Sequence, residues 1–151
     1  PSDFNLDVMA IHEEITHAAI NVMNVRFGRI IGSRSWIVDQ SDSLNEEVGH
    51  SLSAMVGKYY LEHELVPELI VNQPIAEPAE LQSFLSEKFG KSVKIELPKR
   101  GAKFDLAQMA KRNASLSSEN LLPHTQLNMS VIDTTGSLIN QLIVILEKKK
   151  A

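Results

Sequence analysis

The sequence predicts an α/β fold built on a mixed sheet, and three observations predict it. The first 39 residues fall into three apolar, β-branched segments joined by short polar turns. Beyond residue 43 the apolar period lengthens to three and four, the spacing of a helix face. From there short strand-like and longer helix-like segments alternate, the pattern of parallel strands joined by crossover helices.

Each element has a local reason. Leu6 to Ile11 is a short apolar strand, and the polar stretch His12 to Thr16 is a turn. His17 to Phe27 is rich in β-branched residues, and Gly28 makes a tight connection to a third strand, Arg29 to Val38. Ser43-Leu44-Asn45-Glu46 has the form of a capping box, in which hydroxyl and carboxylate satisfy the free amides of a helix start. Leu44, Val48, Leu52, Met55, Val56 and Tyr59 then form one apolar stripe, a helix to about His63. Glu68 to Asn72 is short and apolar, as a buried parallel strand should be. Pro78 suits a first helical position, Leu81, Phe84, Leu85 and Phe89 form the inner stripe, and Gly90 is the stop. Ser92 to Leu97 alternates apolar and charged residues, a fifth strand. Phe104 to about Leu122 is a third helix, which Pro123 should end. Gln126 to Asp133 and Leu138 to Leu146 read as a C-terminal hairpin, with a helix as the alternative.

The order is β-β-β-α-β-α-β-α. An antiparallel meander extended by crossovers is a ribonuclease H-like arrangement, a mixed five-stranded sheet with helices on both faces. Residues 1–122 form that domain and 123–151 a C-terminal extension.

Composition narrows the function. The chain has 151 residues, 43% hydrophobic and 23% charged, as expected of one globular domain. It has no cysteine, which excludes thiolate zinc sites and a cysteine nucleophile. The longest apolar run, Leu142 to Leu146, is far too short to span a bilayer, so no membrane partner is expected. The chain begins Pro-Ser-Asp without a methionine, as expected of a piece of a longer polypeptide. The net charge of −4 hides an uneven distribution. Residues 1–90 carry five Lys/Arg against fourteen Asp/Glu, whereas residues 91–112 carry seven against two. Local charge governs phosphate contact, so the net acidity does not exclude nucleic acid.

Several stretches resemble UvrC, the nuclease subunit of bacterial nucleotide excision repair. They are Leu6 to Ile11, Val25 to Trp36, Lys58-Tyr59-Tyr60-Leu61, Pro67 to Val71, and Leu85-Ser86-Glu87 with Gly90-Lys91. The best marked is Pro98-Lys99-Arg100-Gly101 with Lys103, followed by Ala110 and Asn113-Ala114. The resemblance runs from Leu6 to Leu122 and is to one middle, ribonuclease H-like region of that family, ahead of its C-terminal endonuclease. It implies a cytoplasmic DNA-repair setting. The implied partners are the DNA backbone, other UvrC domains and, indirectly, UvrB and UvrA. The family's Cys-containing nuclease signature is missing. Met129 to Gly136 echoes its start, with Asp133 at the Asp position.

Nucleases of this fold hold two divalent metals between carboxylates from the first strand, the first helix and the end of the fourth strand. Candidates at those places are Asp7, Glu46 or Glu47, and position 72, which is Asn. Asp7 is expected near the start of its strand instead of at the centre of a site. Glu46 is already explained by the capping box. No two-metal site assembles, so the expectation is a catalytically silent domain with no cofactor and no metal. An active nuclease using Asp7, Glu46 and Asp133 is the alternative, and a free-standing protein-interaction domain is another. Histidines at 12 and 17 are five apart, the wrong spacing for a zinc-binding helix. All histidines are expected at surface or half-buried positions.

The basic segment supplies the candidate contact. Lys99, Arg100 and Lys103 open a helix, where cations oppose the helix dipole. With Lys111 and Arg112 they are candidates for phosphate contact. The competing explanation is pairing with acidic residues of 1–90. Arg26, Arg29 and Arg34 form a second group, and simple alternation puts Arg29 and Arg34 on opposite faces of their strand.

Overall fold

The computed structural model describes residues 4–39 and 48–127. Its elements are β1 (Leu6–Glu13), β2 (His17–Arg26), β3 (Arg29–Asp39), α1 (Val48–Glu62), β4 (Glu68–Val71), α2 (Pro78–Phe89), β5 (Lys94–Glu96) and α3 (Gly101–Leu127). The order is the expected one. The five strands form one mixed sheet, β3-β2-β1-β4-β5. β1 pairs antiparallel with β2 and parallel with β4, so it lies at the centre.

Alternation along the strands divides the core into two layers. Met9, Ile11, Ile20, Val22, Leu69 and Val71 meet Leu52, Met55, Val56, Tyr59 and Tyr60 of α1 and Leu85 of α2. On the opposite face Leu6, Val8, Ala10, Met23, Val25 and Ile70 meet Ala107 and Ala110 of α3. Because β1 is covered on both faces, its residues from Leu6 to Ala10 are all fully buried. That explains why its sequence reads as a continuous apolar run interrupted only by Asp7.

Over residues 101–119, the buried residues of α3 are Ala107, Ala110, Ala114 and Ser118, at spacings of three and four. Small side chains on this stripe leave little between the helix backbone and the sheet. Ser118 also ties α3 to β2, its hydroxyl lying 2.7 Å from Nε2 of His17. His17 is therefore buried, not at the surface or half-buried position expected of it.

Other differences are local. Strand β1 continues through Glu13, so the turn is shorter than His12 to Thr16, and β5 is only three residues long. Helix α3 starts at Gly101 and runs through Pro123 to Leu127, so the proline does not end it. Gln126 and Leu127 are thus helical, and the rest of the expected C-terminal hairpin lies outside the described residues. So do the Ser43–Glu46 capping box and Asp133. Gly90 ends α2 in the left-handed region, at φ 65°, as the sequence required. Among the described residues, no helix is long and apolar enough to cross a membrane.

Ala110 has no exposed surface. Ala110→Leu should force α3 off the sheet and lower stability by roughly 1–3 kcal/mol in chemical denaturation. The same replacement at exposed Gln108 should stay within about 0.5 kcal/mol.

Candidate functional site

Asp7 is fully buried. Alternation along β1 turns it toward α1, on the same face as Met9 and Ile11. Asp7 is the second residue of β1, near the start of the strand as expected, and there it is the middle of a polar network. Its Oδ1 accepts from Asn24 Nδ2 and from Arg26 Nη1, each at 2.9 Å. Its Oδ2 accepts from the Tyr60 hydroxyl at 2.5 Å. Arg26 also donates to the carbonyls of Leu6 and Val25. One cation and two neutral donors thus compensate one buried carboxylate, a group that is costly to take out of water without partners. Burial, then the Asp7 charge and its hydrogen bond, push the Tyr60 phenol well above its ordinary value. Tyr60 therefore remains a donor.

The fourth-strand position is equally committed. Asn72 Oδ1 accepts from the Ile11 amide at 2.9 Å, and its Nδ2 donates to the Ile11 carbonyl at 3.0 Å. This side chain extends the β1–β4 ladder by one rung. An aspartate could accept but not donate, so the amide suits the position and a carboxylate does not. Glu46 and Asp133 lie outside the described residues. Among the described residues, no three His, Asp or Glu side chains gather in a way that could hold a metal. The absence of cysteine limits the set further.

Beside this network is a groove of about 280 Å³ between β2, β3 and α1, with Asn24, Gly32, Arg34, Tyr59 and His63 in its walls. A β-bulge shapes it. The β2–β3 register pairs Asn24 with Gly32 but Val25 with Ile30, leaving Ile31 as an extra residue. Arg29 therefore faces Arg26, and Arg34 faces Val22. Since Val22 and Arg26 share a face of β2, so do Arg29 and Arg34 of β3. The opposite-face expectation fails because one inserted residue inverts the alternation.

The basic segment divides. Lys103 Nζ lies 2.5 Å from Glu68 Oε2 and 3.2 Å from Glu96 Oε2. It meets acidic groups within the domain, as the competing explanation required. Contact with Glu68, then with Lys103 and Lys94, holds the Glu96 carboxyl below the usual range. The hydrogen bond to Glu68, then the one to Glu96, raises Lys103. Lys99, Arg100, Lys111 and Arg112 are exposed and form no ion pair among the described residues. Lys91 pairs with Glu64 at 3.3 Å. Trp36, Tyr59 and Tyr60 are core residues.

Fold and site together define a ribonuclease H-like domain whose first-strand carboxylate is held by protein groups. Comparison with known proteins gives the particular family: the model described as UvrC Ribonuclease H-like domain matches residues 5–121, and the chain belongs to it. It is 32% identical over 135 residues to UvrABC system protein C of a Geobacter species, covering 89% of this chain and 20% of that protein. The Clostridioides difficile protein of the same name is 35% identical over 115 residues, covering 75% and 18%. The Thermus thermophilus one is 31% identical over 123 residues, covering 81% and 20%. The chain thus spans about a fifth of the length of these relatives.

Two outcomes follow from this geometry. Arg26→Met leaves Asp7 buried without its cation and should lower stability by about 3 kcal/mol in urea denaturation. An unchanged midpoint would show that Asp7 is not compensated by Arg26. The Lys103 cluster sets a pH window. Glu96 is depressed, so its contribution is present above its unfolded value of 4.5 and lost as pH falls through its folded value. Lys103 is raised, so its contribution is present below 10.5 and lost as pH rises through its folded value. The thermal-stability gap between the native chain and Lys103→Met should therefore be widest between those limits and should narrow in acid. Its size should stay below about 1 kcal/mol, because both groups are partly solvated.

Proposed function

We propose that this chain serves as a catalytically silent ribonuclease H-like domain within a UvrC-type DNA excision-repair nuclease. Its role is architectural: it spaces neighbouring domains and touches the DNA backbone. The observation that carries the reading is the state of Asp7. Its two oxygens accept from Arg26, Asn24 and Tyr60, so the first-strand carboxylate is already neutralised where a nuclease of this fold would need it for a metal. Family membership supports the repair setting, and with it the cytoplasm and the other UvrC domains, UvrB and UvrA as the surrounding partners.

The contact surface in this reading is Lys99, Arg100, Lys111 and Arg112. All four are exposed, and the first two stand at the start of α3, where free backbone amides favour an anion. Lys103, in the first turn of α3, ties that turn to β4 and β5 through Glu68 and Glu96, and so supports this surface.

Titration calorimetry with Mn²⁺ should give no binding to the purified chain, and Mn²⁺ or Mg²⁺ should not make it cleave DNA. Cleavage lost on Asp7→Asn would establish the active-nuclease alternative instead. In the full-length parent protein, charge reversal at Lys99, Arg100, Lys111 and Arg112 should weaken DNA binding and flatten its dependence on salt. Unchanged affinity and slope would remove the backbone-contact role.

A further inference from the structure

We propose that the groove between β2, β3 and α1 is a second phosphate site, which takes a phosphodiester of the nucleic-acid backbone. It lies on the sheet face opposite α3, away from the basic segment. The inference rests on the DNA-contact reading above and adds to it a site, a ligand class and named donors.

The groove has the chemistry of an anion site. None of its described walls is a carboxylate, although residues 1–90 carry fourteen. The nearest buried carboxylate, Asp7, is behind Asn24 and is already paired with Arg26. Arg34 lines the groove and is exposed, and it forms no ion pair among the described residues. The bulge at Ile31 puts Arg29 on the same face, so two guanidinium groups from one edge strand serve one side of the sheet.

A neutral donor complements them. Asn24 Nδ2 donates to the Tyr59 hydroxyl at 3.0 Å. That oxygen is therefore the acceptor in this bond, and among the described residues no acceptor takes its proton. The Tyr59 hydroxyl can donate it to an anion in the groove. The phenol is also held in place: its ring stacks on His63 at 3.9 Å with the planes 2° apart, and His63 Nδ1 lies 2.9 Å from the Tyr59 carbonyl. Burial raises the Tyr59 phenol above its ordinary value, so it stays protonated.

Gly32 keeps the site open. A Cβ at this position would stand 2.8 Å from Asn24 Oδ1, and the Asn24 amide could not then hold both Asp7 and Tyr59. A guanidinium and a fixed hydroxyl around about 280 Å³ suit a tetrahedral anion that accepts from several directions. Contacts from these groups to a phosphate carry no sequence information, so the site would position a backbone without reading sequence.

The test is a heteronuclear NMR titration of the chain, once with inorganic phosphate and once with a short abasic oligodeoxynucleotide. Both should shift the amides of Gly32, Arg34 and Tyr59. Arg34→Gln, a surface change that should not affect folding, should weaken oligonucleotide binding about five- to tenfold and reduce the salt slope by about one. Tyr59→Phe should weaken binding without reducing that slope. A Lys99→Glu/Arg100→Glu double variant should leave the groove shifts in place. If the oligonucleotide shifts only residues 99–112, and Arg34→Gln changes neither affinity nor slope, the groove site is overturned while the DNA-contact reading stands. If inorganic phosphate shifts the groove and the oligonucleotide shifts nothing, the nucleic-acid assignment fails together with that reading. If neither ligand moves the groove amides, no anion site exists there.

Discussion

One buried charge organises this domain. Asp7 sits on the central strand with no exposed surface, and a carboxylate there is tolerable only with its partners in place. Those partners come from different elements: Asn24 and Arg26 from β2, and Tyr60 from α1. The network therefore does more than satisfy a charge. It fixes how α1 lies over the sheet, because the Tyr60 hydroxyl must reach a point inside it. Tyr59, one residue earlier, meets the Tyr60 ring edge-on with centroids 5.1 Å apart and turns its own hydroxyl to Asn24. Two adjacent residues of one helix thus hold both Asp7 and the amide beside it, and the shape of the groove follows from that hold.

The same interaction separates architecture from catalysis. A carboxylate awaiting a metal needs a free oxygen and other carboxylates nearby. Asp7 instead has an internal cation. At the end of β4, Asn72 spends both halves of its amide on Ile11. One of these residues couples β1 to β2, and the other couples β1 to the end of β4. Polar groups at two positions where nucleases of this fold place metal ligands are engaged here in contacts between strands. Returning either to metal chemistry would mean breaking a strand contact first.

Much of this was legible from the sequence, and what was not has a common cause. The element order followed from periodicity, because a strand or helix covered by a core must repeat its apolar residues at that element's spacing. Gly90 was readable because a left-handed helix end selects glycine. Asp7 and its place near the strand start were readable, but its burial and its partners were not. Its partners lie 17, 19 and 53 residues away, and no local pattern reports a contact at that range. The bulge at Ile31 was invisible for a different reason: a single extra residue leaves no mark in composition, yet it inverts the facing of every residue beyond it. Pro123 misled because proline was taken to end a helix that runs on for four more residues. Lys103 looked like its neighbours Lys99 and Arg100 until Glu68 was brought beside it from 35 residues away.

The opposing charges of residues 1–90 and 91–112 have a spatial counterpart. On the α3 side, Glu68 and Glu96 absorb Lys103 and leave the cations on either side of it exposed. On the α1 side, Asp7 absorbs Arg26 and leaves Arg29 and Arg34 exposed. In each case an acidic group takes one cation of a cluster, fixes the local backbone and leaves the rest for an external anion. The acidic excess of residues 1–90 therefore coexists with a basic groove in the same segment. Because the two cation groups lie on opposite faces of one sheet, a single straight stretch of backbone cannot meet both. In the proposed reading, one face holds a nucleic-acid segment while the other meets a second segment or an acidic neighbouring domain. That geometry fits a spacer between working parts better than it fits an active centre, which would need its charges converging on one point.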